Sequence, residues 1–375
     1  MFFYEGQKEG DFLYIESITA SNFRNLLDID VKLNNGINIF YGNNAQGKTN
    51  ILESIYVCGT GRSHRTRIDS RLVNFNEQEC HVRLFCVKGK RRDRIDLHVK
   101  KDEKKGIAIN GIAIKKSGEL FGTLLTVIFS PEDLGLVKEG PSERRRFMDM
   151  ELCQMSNVYY HDLQQYYKVL KQRNSLLKEI QKNPNLKETI FIWDSQLEEY
   201  GKRLISARRN FISKLSDISA LKHEKITRGG EILKIEYKPD CIEENFHKKL
   251  NSSIERDILY GNTSQGPHKD DITFFVNGCD VKLFGSQGQQ RTTALSTRLA
   301  EIDIIENETG EKPVVLLDDV FSELDESRQK FLLESIADTQ IIITCTGVED
   351  IVRNYIKNAG IYYVENGNIT EKTGI

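Results

Sequence analysis

No stretch of the sequence approaches the about 18 uncharged apolar residues that a membrane-spanning helix needs, so no span is expected. The first residues mix Glu5, Lys8, Glu9 and Asp11 with aromatics and lack the apolar core of a secretion signal. Cysteine is sparse and unpatterned. Seven thiols are scattered from Cys58 to Cys345 with no C-x-x-C pair, as expected of free thiols in a reducing cytoplasm. Cys80, His81 and Cys86 come nearest to a metal cluster, but they lie in a strand-like run and read as core, not as a zinc site. Charge of either sign is not in excess: 53 Lys and Arg face 55 Asp and Glu, a net of −2, so bulk charge does not announce a nucleic-acid partner. Apolar material is not scarce. With 39% hydrophobic residues, 18 Phe and 14 Tyr, a mainly disordered chain is excluded, and 375 residues suit two domains or one domain with an insertion.

What is present begins with a switch of pattern. Gly36 to Tyr41 is apolar and β-branched, which predicts a short buried strand. Gly42-Asn43-Asn44-Ala45-Gln46-Gly47-Lys48-Thr49 follows, and Asn50 to Tyr56 then carries helical spacing. Strand, glycine loop and helix are the context that G-x-x-x-x-G-K-[ST] requires. From Arg71 to Phe129 the chain alternates like strands, with an Asn110-Gly111 hairpin turn and a buried strand at Leu124 to Phe129. From Ser142 to Leu221 the apolar period becomes helical, broken at Asn183-Pro184-Asn185. This predicts a helical hairpin whose arms each reach on the order of 50 Å, with Trp193 and its tyrosines in the seam. After about Asn251 strand patterns return at Asp271 to Val276, Val314 to Leu317 and Ile341 to Ile343, with a helix from Gln289 to Asn307. The expected fold is an α/β P-loop head with an inserted helical-hairpin arm. The head is split over 1–130 and 251–375, and the arm occupies 131–250.

The chemistry sits at the loop ends. Gly42 and Gly47 let the backbone wrap a phosphate, so that successive N–H groups and a helix N-terminus point at the anion. Lys48 is expected on the β- and γ-phosphates of ATP, and the Thr49 hydroxyl on Mg²⁺. Asp318 and Asp319 leave the carboxyl end of the Val314 strand, where open α/β sheets place ligands. Asp318 is expected to hold Mg²⁺, and Asp319 to polarise the attacking water as the catalytic base beside Lys48. Ser286-Gln287-Gly288-Gln289 opens a helix and forms a second anion cradle. One chain has one γ-phosphate, so Ser286, Gly288 and Gln289 are expected on the ATP of a partner subunit, the composite-site logic of ABC ATPases. Ser322 to Asp325 follows the acid pair where such ATPases carry the D-loop. No N-K-x-D motif is present to read guanine, and a small kinase would need neither the Ser286 segment nor a long hairpin.

Basic residues cluster locally. Nine Lys and Arg against four Asp and Glu fall between Lys88 and Lys105, Arg62, Arg65 and Arg67 bracket His64, and Arg144 to Arg146 run together. Such patches can bind phosphate backbones whatever the net charge. Arg62, Arg65, Lys90, Arg91 and Arg92 are the DNA-contact candidates.

Several strings then resemble one family. They are Asn22-Phe23-Arg24-Asn25, the P-loop itself, Ser63-His64-Arg65-Thr66, Pro131 to Leu134 and Gly140 to Asp149. Thr263-Ser-Gln-Gly-Pro-His-Lys-Asp-Asp271, Ser286 to Arg291 and Leu317 to Asp325 complete the set. The chain resembles the RecF family of bacterial recombination-repair ATPases, relatives of the SMC proteins, from about Leu13 to about Gly367. Residues 1–11 read as an unmatched extension. The resemblance implies a cytoplasmic ATPase, weak and DNA-stimulated, that dimerises head to head around two ATP molecules. In that state it would bind double-stranded and gapped DNA and help load RecA with RecR and RecO. The chain departs from the general ABC pattern in three places. Asp319 stands where most members carry the longer Glu, which predicts slow hydrolysis. Thr344-Cys345-Thr346 stands where many carry a γ-phosphate-sensing His, and no Q-loop Gln is evident near Ser130. The alternative reading is a nucleotide-switched scaffold that acts through protein partners without reading DNA.

Overall fold

The computed structural model describes residues 12–347 and 359–372, so the extension at residues 1–11 lies outside the described residues. The chain divides into two compact units, Met1–Asp133 with Glu301–Ile375, and Leu134–Ala300.

The first unit opens with β1 (Leu13–Phe23), β2 (Leu26–Lys32), β3 (Ile37–Tyr41) and α1 (Lys48–Thr60). It continues with β4 (Glu79–Lys88), β5 (Arg91–Lys100), β6 (Gly106–Ile109), β7 (Ile112–Ala113) and β8 (Thr126–Phe129). The second unit contributes α2 (Leu134–Lys138), α3 (Pro141–Met155), α4 (Asn157–Ile180), α5 (Ile190–Thr227), β9 (Leu233–Lys238) and α6 (Phe246–Tyr260). It then adds β10 (Asp271–Val276), β11 (Cys279–Asp280), α7 (Val281–Phe284) and most of α8 (Gln287–Thr309). The chain returns to the first unit with β12 (Val314–Asp318), α9 (Glu326–Ser335), β13 (Ile341–Cys345), β14 (Gly360–Glu365) and β15 (Asn368–Glu371).

Two six-stranded sheets build the first unit. One is antiparallel in the order β2-β1-β4-β5-β6-β7; the other runs β15-β14-β3-β13-β12-β8, with its inner strands parallel. The parallel strands read as unbroken apolar runs because both faces are covered; every residue of β12 and β13 is buried. Helix α1 packs on strands of both sheets. That explains why it is buried nearly all round and shows no polar face. Gln340 joins the sheets. Its buried amide accepts from Ile15 N (2.7 Å) and donates to Ile15 O (2.8 Å) and Asn34 O (2.7 Å). The expected hairpin forms at Asn110-Gly111, where both residues have positive φ (53° and 83°), as a two-residue turn demands.

The second unit corrects the expected boundary. The unit ends at Ala300, not Leu250, and is more than a hairpin arm. The reason is pairing. Asp271–Val276 does not join the head sheets; it pairs antiparallel with β9 (Phe274 opposite Ile235) and with β11 in a three-stranded sheet. Helix α5 packs along β9. The helical arms are unequal: 24 residues in α4 and 38 in α5 span about 36 and 57 Å at 1.5 Å per residue. Gly201 in α5 lets the Phe246 ring approach so closely that a Cβ would lie 2.2 Å from a ring carbon. Tyr159 and Tyr166 are buried in the seam as expected, whereas Trp193 is half-buried. The seam also holds charge that apolar spacing does not reveal. Arg173 and Arg208 are among the most completely buried side chains of the protein.

Candidate nucleotide-binding site

The site lies at the carboxyl ends of β3, β13 and β12. Gly42 follows β3 with no room for a side chain, since a Cβ would sit 2.3 Å from the Val364 carbonyl oxygen. Gly47 caps α1 at φ 113°, and a Cβ there would meet the Asn25 side chain at 2.6 Å. Between the glycines, Asn43, Asn44 and Ala45 are exposed, and Ala45 has a positive φ of 64°. The Gln46 side chain accepts from Asn366 N at 2.6 Å. Lys48 Nζ folds back across the loop and donates to the Gly42 (2.7 Å) and Asn43 (2.8 Å) carbonyls. Burial pulls its pKa down, opposed by the charges of Asp319, Cys345 and Asp318. A cation so placed, with donors satisfied only by loop carbonyls, is set to exchange them for phosphate oxygens.

Thr49 Oγ1 donates to Asp318 Oδ1 at 2.8 Å. Two neighbouring ligands of an octahedral ion at about 2.1 Å stand about 3.0 Å apart, so this hydroxyl–carboxylate pair has the spacing and the oxygen chemistry of Mg²⁺ ligands. Asp318 is buried at the end of β12 and accepts a second bond at 2.7 Å, from Thr344 Oγ1. Burial raises the Asp318 pKa, and the two hydroxyls oppose the rise. Strand β13 lies between β3 and β12, with Thr344 opposite both Phe40 and Asp318. Thr344 therefore orients the acid, and Thr346, exposed beyond the strand, is the residue left facing out. Asp319 holds a left-handed conformation (φ 52°), with its N–H shared between Thr344 O (3.2 Å) and Thr344 Oγ1 (3.1 Å). That conformation costs a non-glycine residue roughly 1 kcal/mol or more.

A buried network that sequence reasoning did not assemble lies beneath the loop. Glu53, on α1, is fully buried. It accepts Arg24 in two bonds (3.0 and 2.7 Å), the Ser63 hydroxyl at 2.5 Å and Arg65 at 3.3 Å. Burial pushes its carboxyl up, but these bonds and the charges of Arg24 and Arg65 outweigh it and hold the pKa below the ordinary value. Asn50 completes the brace, donating to Asn25 at 2.7 Å and accepting from Arg65 at 2.9 Å. The motifs around Arg24 and Ser63 thus converge on one acid of the P-loop helix. The available signal was Glu53 itself, a lone charge between Leu52 and Ser54 in an apolar run.

Ser286 and Gln289 cap α8 reciprocally. Ser286 Oγ accepts from Gln289 N (3.2 Å), and the Gln289 side chain accepts from Ser286 N (2.9 Å). Gly288 has open space around it, with only Ser286 Oγ within 4 Å of a built Cβ. Asp325 is the exposed N-cap of α9, accepting from Arg328 N at 3.0 Å.

The basic candidates are scattered in environment. Arg62 and Lys90 are exposed, while Arg65 belongs to the Glu53 brace. Arg91 pairs with Asp93 (2.6 Å), and Arg92 pairs with Glu16 (2.6 Å) over the Phe85 ring. The Arg144 to Arg146 run is no open patch: Arg144 binds Asp271 twice (2.6 and 2.9 Å), and Arg145 donates to the Asp270 carbonyl (2.7 Å). His268 is structural too. Its Nε2 donates to Thr263 O (3.1 Å), so Nδ1 accepts from the Tyr166 hydroxyl (2.7 Å). Burial lowers its pKa to about 4, which keeps the ring neutral.

A P-loop braced against the acid at the end of the next strand but one, in a parallel sheet accompanied by an antiparallel one, defines an SMC-like ABC-type ATPase head. The profile of the RecF/RecN/SMC N-terminal domain family matches residues 14–370. The "DNA replication and repair protein RecF" of Lachnospira eligens is 48% identical over 362 residues, covering 96% of this chain and all of that protein. A solved structure described as the recombination mediator protein RecF with ATP in the RecFOR pathway superposes with a TM-score of 0.91. It is 36% identical and covers 99% of this chain and 100% of that one. The Smc head domain of Pyrococcus furiosus shares the fold (TM-score 0.56, 16% identity, 96% of each chain). The chain belongs to the RecF family of DNA replication and repair proteins.

Proposed function

We propose that the chain is an ATP-gated DNA-binding protein of recombinational repair and replication restart, acting in the cytoplasm. Two copies close head to head on two ATP molecules, bind gapped double-stranded DNA, and help load RecA together with RecR and RecO. The observation that carries the reading is the Thr49–Asp318 pair (2.8 Å) beside Lys48, whose ammonium folds back onto the loop carbonyls of Gly42 and Asn43. Backbone N–H groups from Gly42 to Thr49 receive the phosphates, and Lys48 turns to their β- and γ-oxygens. Thr49 and Asp318 hold Mg²⁺, which neutralises phosphate charge during transfer. Asp319 positions and polarises water. As the shorter acid it holds that water less closely, so turnover is slow and suits a clamp. Ser286, Gly288 and Gln289 of one copy cradle the γ-phosphate of the other.

One observation favours the scaffold alternative: Arg91 and Arg92 are matched by Asp93 and Glu16, so the local surplus of positive charge is partly spent within the protein. The Arg92–Glu16 pair is exposed, worth about 0–1 kcal/mol, and yields readily to a phosphate, whereas Arg91 is held by the buried Asp93; the DNA reading therefore leans on Arg92, Lys90 and Arg62. The deciding experiment is fluorescence anisotropy of labelled duplex and gapped DNA in ATP and in ADP at two salt concentrations. The clamp requires tight binding in ATP alone with a steep salt slope; equal, weak, salt-insensitive binding in both nucleotides would establish the scaffold.

A further inference from the structure

Strands β4 and β5 turn one face inward and one outward. Cys80, Val82, Leu84 and Cys86 point into the core. The outward face carries Glu79 and His81 on β4, two residues apart, and His98 on β5, which stands directly opposite His81 in the register. Sequence proximity groups His81 with Cys80, but the pleat sends them to opposite faces, and the pairing of the strands supplies His98 instead. The two imidazoles stack with centroids 4.0 Å apart. Glu79 reaches both, with Oε2 at 3.0 Å from His98 Nε2 and Oε1 at 3.6 Å from His81 Nε2. One donor atom from each of the three residues lies within 4.8 Å of the others. No other such cluster occurs among the described residues.

We infer that Glu79, His81 and His98 form a binding site for a divalent transition ion, with Zn²⁺ the best match. Two imidazole nitrogens and one carboxylate oxygen are a borderline-soft set that suits zinc over Mg²⁺ or Ca²⁺. Ligand atoms around a tetrahedral ion at about 2.0–2.1 Å stand about 3.3 Å apart. The two Glu79 contacts, one through each oxygen, lie near that value, and one donor atom from each residue lies within 4.8 Å of the others, so turning the stacked rings towards a common point closes the set. The side chains are 38–52% exposed, which leaves a fourth position for water and an open path of entry. The ion joins neighbouring strands of the antiparallel sheet and replaces the stacked, carboxylate-bridged arrangement of the rings. Asp96, two residues before His98, is occupied by Arg83 and Arg94 on the next rung and is not a ligand. This site is independent of the nucleotide site, whose oxygen ligands select a hard ion.

The test is a titration of the full-length protein with Co²⁺, read by its visible d–d absorption and competed with Zn²⁺, in buffer containing Mg²⁺. A Cys279→Ser background removes the exposed cysteine as a competing ligand. The expected result is one equivalent bound per chain with a tetrahedral spectrum displaced by Zn²⁺. Loss of one ligand in His81→Ala or His98→Ala should weaken binding by at least about tenfold. Glu79→Gln should weaken it while leaving the fold intact. Zn²⁺ should also raise the melting temperature of the parent protein but not of the His81→Ala/His98→Ala double variant. Melting in chelator verifies that these exposed-face substitutions leave the folded state unchanged. An equal spectrum and stoichiometry in the double variant, or no one-to-one binding in the parent, overturns the site.

Discussion

Arg173 offers the most quantitative test of how the second unit is built. Its guanidinium is fully buried and serves two carboxylates and a hydroxyl: Asp194 through Nε at 2.5 Å, Asp257 through Nη1 at 2.8 Å and Thr263 at 2.9 Å. The Asp194 and Asp257 side chains are 3% and 0% exposed. Replacing Arg173 with Met keeps the volume and strands both acids. Removing one partner of a buried ion pair costs about 3–5 kcal/mol, and the double duty of Arg173 places this loss near about 4 kcal/mol. With a urea m-value of about 2 kcal/mol/M, the unfolding midpoint should fall by about 2 M. Trp193 is the single tryptophan of the chain and lies beside Asp194, so its emission reports this unit directly. Burial raises the Asp194 pKa, with Arg173 opposing. Without Arg173 the pKa rises further. The folded state then binds more protons than the unfolded one, so the variant should gain stability as pH falls from neutral towards the carboxylate range. Replacing Asp194 with Leu in the same chain should recover part of the loss by removing one stranded charge; Asp257 keeps its bonds from Ser264 N (3.0 Å) and Ser253 Oγ (3.3 Å) and is left in place. A midpoint within about 0.3 M of the parent, or an unchanged pH dependence, would refute the argument.

The nucleotide site yields three more tests. Ser286→Arg should leave ATP binding by single chains intact and abolish ATP-dependent dimers in sedimentation; dimers of normal strength would end the composite-site reading. Asp319→Asn should slow phosphate release by about 10² or more and prolong the ATP-bound dimer, and faster turnover would remove its assigned role. Thr344→Val keeps the shape but deletes the 2.7 Å bond to Asp318, a charge-assisted bond worth about 1.5 kcal/mol or more. The Asp318 pKa then rises further, so on acidification nucleotide affinity in Mg²⁺ should begin to weaken at a higher pH than in the parent. Superimposable profiles of affinity against pH for parent and variant would contradict that role for Thr344.

The P-loop was legible as a loop between strand and helix because it is local. Glycines, Lys48 and Thr49 are contiguous, and the strand before them and the helix after them carry their own periodicities. Asp318 was legible for a similar reason, since a wholly apolar strand must end where a sheet meets solvent or ligand. The brace on Glu53 was not, although Arg24 and Arg65 stood in recognisable motifs. Its members are 29 and 12 residues away from the acid, and nothing in a linear pattern states which buried charge will neutralise which. Thr344 lies in the stretch where many members carry a phosphate-sensing His, and its role was not legible; the register of β12 and β13 makes it a hydrogen-bond donor to Asp318.

The same distinction explains the domain boundary and the histidine cluster. Alternation at Asp271–Val276 predicts a strand and says which face is apolar, but not which neighbour will take its hydrogen bonds. Only the fold pairs it with β9 and so moves the boundary to Ala300. Likewise, period-2 alternation separates His81 from Cys80, but only strand pairing places it beside His98. The sequence by itself determined the main helices and strands, the phosphate loop, the place of Asp318 at a strand end and the family, because each is written in a local periodicity or in a recognisable string. Tertiary structure alone decided the partners of buried charges, the strand neighbours and the cross-strand cluster. Those depend on closing long loops, whose entropy grows only slowly with length, so chain separation barely discriminates among partners and packing makes the choice.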